Sequence, residues 1–164
     1  MSKDNAKKGK REEQIRKLRE KREICFAVLF EMTFSDETVE QILEKAYQVK
    51  LLDKLYSDDK DLADEEEIIP ETDEFIIDIL ESYSDHKDEI DDEIKSHIKG
   101  WTIERLSRVT LSVLRFAITE LKYGTTSEKI VINEAVELSK KYSTPQDARF
   151  VNGVLGSVVR KTEE

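Results

Sequence analysis

Residues 109–123, VTLSVLRFAITELKY, place apolar side chains on nearly every face of a helix. A helix with so little surface to spare for water belongs at the centre of a bundle rather than on its outside. The flanking residues supply the helices to surround it. Upstream, Ile103 and Leu106 give a short helical turn after Trp101, and Gly100 stops a helix from about Asp85 that carries Ile90, Ile94 and Ile98. Before that, Pro70 and Thr72 open a helix whose apolar face is Phe75, Ile76, Ile79, Leu80 and Tyr83. Downstream, residues 124–127 break the central helix. Residues 128–142 form the next one around Ile130, Ala135, Val136 and Leu138. Thr144–Pro145 is an N-cap followed by proline at the first helical position. The last helix buries Phe150, Val151, Val154, Leu155 and Val158.

The N-terminal third follows the same period. Ile15, Leu18, Cys25, Val28, Leu29 and Met32 make one stripe along a helix over 11–34, with residues 1–10 expected to be a frayed basic tail. Ser35 and Asp36 end it and cap a helix over 37–56, with Val39, Ile42, Leu43, Ala46, Tyr47, Leu51 and Leu55 inward. Residues 57–69 read as an acidic linker with little to bury. The expected class is all-α: one domain over 1–164, with about seven helices and no strand.

Composition agrees. Five Gly and two Pro are too few for a turn-rich β protein. The hydrophobic share of 38% is low and the charged share of 39% high, yet the apolar residues are periodic, which argues for folding. A lone Cys25 forms no internal disulfide, no run of about 18 apolar residues could span a bilayer, and the N-terminus lacks the apolar core of a secretory signal. The expected location is the cytoplasm.

The net charge of −10 hides strong asymmetry. Residues 1–22 carry ten basic groups against four acids, residues 36–94 carry five against 23, and residues 95–164 carry twelve against eight. Binding responds to such local fields rather than to the sum.

Catalysis has no foothold in the sequence. His86 and His97 fit no metal-ligand motif and read as surface residues of one acidic helix, Cys25 lies on an apolar stripe, and Gly153 and Gly156 follow no phosphate-loop pattern. Residues 58–67 lack the layout of a calcium loop. No metal or cofactor is expected. The basic head is different: Arg16, Lys17, Arg19, Lys21 and Arg22 fall within two helical turns. Cations so placed can neutralise phosphates, each contact contributing a salt slope of about −0.7 on single strands. Interleaved Glu12, Glu13, Glu20 and Glu23 leave open the alternative of an ordinary solvated face.

The segments WTIERLSRVTLSVLRFAITELKY (101–123), KIVINEAVELSKKYS (129–143) and DARFVNGVLGSVV (147–159) resemble the NusB family of transcription antitermination factors in order and spacing. Matching positions include Trp101, Arg105, Leu114–Arg115, Glu120–Leu121, Ile132–Asn133–Glu134, Lys141–Tyr142 and Phe150–Leu155. REICFAVLFEM (22–32) resembles the family's first helix. The resemblance implies two packed helical subdomains in a free-standing factor. It implies binding of boxA-type RNA in ribosomal operon leaders, together with the NusE small-subunit ribosomal protein, in the RNA polymerase antitermination complex. Lys17, Arg19, Lys21 and Arg22 match its arginine-rich arm, although Leu18 and Glu20 stand where arginine is frequent. Gln146, Arg149 and Phe150 lie beside the region the family turns toward RNA, and Phe150 reads equally well as core. Asn133, Glu134, Asn152 and Gly153 read as structural, and Arg115 as pairing with an acid, Glu120 or Glu134. A helical protein–protein interaction module without RNA contact is the alternative.

Overall fold

The computed structural model describes residues 2–56, 68–70 and 72–163. Its helices are α1 (Ser2–Glu31), α2 (Val39–Tyr56), α3 (Glu74–Asp85), α4 (Lys87–His97), α5 (Arg108–Tyr123), α6 (Glu128–Tyr142) and α7 (Pro145–Glu163). A 3-10 turn covers Ile103–Arg105, and no strand occurs among the described residues.

The apolar stretch at 109–123 becomes α5, the axis of the molecule. Every residue from Thr110 to Glu120 except Arg115 is buried, and α1, α3, α4, α6 and α7 all pack against it. On one side α1 packs with α2 and α3; on the other α4, α6 and α7 complete the bundle. Two polar side chains inside α5 return their hydroxyls to the preceding turn: Ser112 donates to the Arg108 carbonyl and Thr119 to that of Arg115, both at 2.7 Å. Ser107 caps the helix start by accepting from the Thr110 amide at 3.1 Å. Its end is fixed by Gly124, where a Cβ would lie 2.6 Å from the Glu120 carbonyl oxygen.

Other boundaries follow local chemistry too. Asp73 caps α3 through the Ile76 amide, and Thr144 caps α7 through that of Asp147, each at 3.1 Å. Gly100, at φ 78°, takes the left-handed conformation that ends the α4 segment.

Several expectations are corrected. Helix α1 begins at Ser2, so the described part of the basic tail is helical, with Asp4 in its first turn toward the positive end of the helix dipole. The cap of α2 is Thr38, which exchanges hydrogen bonds with Gln41, rather than Ser35 or Asp36. Ile130 and Ile15 are exposed; the face of α6 that packs inward is Val131, Ala135 and Leu138. His97 is not on the surface: its ring bridges Ser157 at 2.7 Å and Glu93 at 3.0 Å. Most of the acidic stretch over 57–69 lies outside the described residues, but Ile68 at its end is buried in the core.

Candidate nucleic-acid interface

Helix α1 changes character along its length. From Lys3 to Arg16 every side chain is exposed; from Lys17 the helix sinks into the bundle. Helical phase then separates the five cations. Arg22 shares a face with Cys25, Phe26 and Leu29, three, four and seven residues on, and all four are buried. Its Nη2 donates to Glu120 at 2.8 Å and its Nε at 3.1 Å, and the guanidinium lies over the Phe75 ring, 5.6 Å from its centre. Thr126 accepts from the same Nη2 and donates to Glu120 at 2.8 Å. Arg22 is 3% exposed and Glu120 0%, so the placement of Arg22 against RNA is corrected: it is a buried ion-pair partner.

Arg19 and Lys21 take other directions. Arg19 reaches across to α6, its Nε donating to both Glu134 oxygens at 3.1 and 3.2 Å, while its side chain stays 60% exposed. Lys21 meets the α3 cap Asp73 at 2.8 Å. Lys17 lies 3.7 Å from Glu13, and Arg16 is exposed. One turn beyond Arg19, Glu23 accepts from Lys141 at 2.8 Å and from the Tyr142 hydroxyl, and Phe26 stacks on the Tyr142 ring at 5.2 Å. Burial raises the Glu23 carboxyl, but the hydrogen bonds from Lys141 and Tyr142 outweigh it and hold the group below its ordinary range.

These contacts tie α1 to α6, Arg19 at Glu134 in the middle of that helix and Glu23 at its C-terminal end, from which α7 departs. Gln146 and Arg149 are exposed on the first turns of α7. Phe150 is half-buried and packs against the core. The C-terminal third therefore supplies the frame of the strip. Arg115, read as partner to Glu120 or Glu134, pairs instead with Asp91, both hydrogen bonds at 2.9 Å. The sequence reading missed Asp73 and treated Glu134 only as structural; the signal for Asp73 was its position immediately before a helix.

The site offers cations, not reactive groups. Among the described residues no cluster of three His, Cys, Asp or Glu could hold a metal. Cys25 is fully buried and its thiol is pushed far up, first by burial and then by Glu120 and Asp73. A groove of about 610 Å³ between α2 and α3 has Val39, Leu43, Ile77 and Leu80 on its floor and Glu40, Glu44 and Glu81 around it, a lining that repels phosphate. No described helix is long and apolar enough to cross a membrane.

Comparison with known proteins places this geometry. A family model described as the NusB family matches residues 19–160. The transcription antitermination protein NusB of Clostridium botulinum (strain Kyoto, type A2) is 37% identical over 153 residues, covering 86% of this chain and 98% of that protein. The solved structure of T. maritima NusB superposes with a TM-score of 0.68 at 30% identity, covering 87% of this chain and 89% of that one. A chain from the crystal structure of antitermination factors NusB and NusE in complex with dsRNA has the same fold, with a TM-score of 0.70 at 23% identity over 89% of this chain and 98% of that chain.

Proposed function

Because this chain belongs to the NusB family, we propose that it is a transcription antitermination factor that binds boxA-type RNA jointly with a NusE-type ribosomal protein. It acts in the cytoplasm on the leaders of ribosomal operon transcripts, as part of the RNA polymerase antitermination complex. Residues 1–164 serve as one RNA-binding domain, and the role is that of an adaptor rather than an enzyme.

The observation that carries the RNA face is the exposed side of α1. Arg16, Lys17 and Arg19, with Lys21 at the margin, lie on α1 where Arg19 meets α6, and Gln146 and Arg149, exposed on the first turns of α7, are read as a further part of the RNA face. Arg22 supports that face from beneath through Glu120. Phe150 steadies the first turns of α7 from the core side. A chain of net charge −10 with this one strip should hold RNA weakly alone. A basic partner sharing the strand supplies the missing charge.

Co-elution in gel filtration tests the reading. The chain, a NusE-type protein and a boxA-like strand should migrate as one complex, and a scrambled strand should be left behind. A complex with the protein partner that ignores both strands would instead identify a protein–protein module.

A further inference from the structure

We propose that Glu134 is a positioning residue that aims Arg19 at RNA, an inference that rests on the RNA-binding reading above. Both Glu134 oxygens converge on one hydrogen of Arg19, the Nε–H. The two Nη groups make no hydrogen bond among the described residues, and the Arg19 side chain is 60% exposed where that of Glu134 is only 15%. The carboxylate thus grips the guanidinium by its inner edge. What remains outward is the paired Nη edge, a planar fork suited to two parallel hydrogen bonds with a phosphate or with the acceptor edge of a base.

The grip is itself anchored. Glu134 stands next to Ala135, which is buried with Val131 and Leu138 against the core, so its backbone cannot drift. A turn further along α1, Glu23 is tied to Lys141 and Tyr142, which fixes how α1 lies across α6. A long arginine normally loses side-chain freedom when it binds; one already oriented loses less. Lys21 has no equivalent arrangement, since Asp73 also caps α3 and an ammonium has no second edge to present.

A simpler role for Glu134, as a negative charge that repels RNA, makes the opposite forecast. If only its field matters, removing it tightens binding. If it aims Arg19, removing it weakens binding although the protein becomes less negative.

The test uses the full chain with a NusE-type partner, a fluorescent boxA-like strand and a scrambled strand. The variants are R19A, E134A, E134Q and R19A/E134A, each checked for an unchanged melting temperature. R19A and E134A should each weaken boxA-like binding about tenfold and narrow the preference over the scrambled strand. The double variant should be no weaker than R19A, because Glu134 acts only through Arg19. E134Q, whose amide oxygen can still accept from Nε, should stay within about twofold of the unmodified protein. Tighter binding by E134A, full additivity in the double variant, or an R19A as selective as the parent would overturn the proposal. Absence of selective binding by the parent itself would remove the RNA-binding reading and this inference with it, an outcome separable from the other three.

Discussion

The two halves of α1 use arginine and lysine for different ends. Upstream of Lys17 every described side chain lies in solvent; downstream the same helix is packed against α2, α3 and α5 and tied to α6 by side chains. Arg19 and Arg22 are three residues apart, yet one is 60% exposed at the side chain and the other 3%. A cluster of basic residues is therefore no unit of function. Helical phase decides which cation meets water and which meets a buried carboxylate, and the second kind makes a rigid platform for the first.

The largest effect should come from the buried member. Arg22→Ala leaves Glu120 uncompensated at 0% exposure and should cost about 3–5 kcal/mol of unfolding free energy in urea titration. Replacing both partners by Met should recover most of that loss, since an apolar pair of similar size is often near neutral. Loss of less than about 1 kcal/mol in Arg22→Ala would mean that the pair is not held as described. Next comes Arg115→Ala, which unties Asp91 from α5 and should cost about 1–3 kcal/mol in the same assay. Arg19→Ala should leave stability within about 0.5 kcal/mol and act on RNA instead. Together with Arg16→Ala and Lys17→Ala, it should flatten the salt dependence by about 0.7 for each phosphate no longer neutralised.

The smallest effect concerns acid. Glu23 has a lowered pKa in the folded protein despite the opposing effect of burial, because Lys141 and Tyr142 hydrogen-bond to it. A depressed carboxylate adds stability that is complete above its unfolded pKa and is lost as pH falls through the folded one. Glu23→Gln should therefore slightly flatten the fall in melting temperature across the acidic carboxylate range. The change is modest because the side chain is 34% exposed. An unchanged acid profile would show that this tie between α1 and α6 is inactive in solution.

Much of this was legible in the residues. Continuous apolar character placed α5 at the centre, and Thr144–Pro145 marked the start of α7 where it is found. The burial of Arg22 was legible too, since Cys25, Phe26 and Leu29 follow it at helical spacing, but the basic cluster drew it into the RNA face. Other features depend on how helices lie against one another. Asp91 as partner of Arg115, Glu120 of Arg22 and Glu134 of Arg19 are separated by 24, 98 and 115 positions, and local periodicity carries no record of them. His97 was misplaced for the same reason: its neighbour Ser157 belongs to a helix that begins 48 residues later. The Thr38 cap differs in kind, because Ser35, Asp36 and Thr38 are all competent N-caps, and Thr38 is the one that directly precedes the buried Val39 and exchanges bonds with Gln41.

The most direct test of the central claim is the salt dependence of RNA binding by fluorescence anisotropy. A boxA-like and a scrambled strand would be titrated with and without a NusE-type partner at two ionic strengths, against the parent and the Arg16→Ala, Lys17→Ala, Arg19→Ala triple variant. Selective binding that the partner strengthens, and that the triple variant loses while melting at the parent's temperature, is the result expected of an RNA face on the exposed side of α1. Equal binding of both strands, or full selectivity in the triple variant, would contradict it.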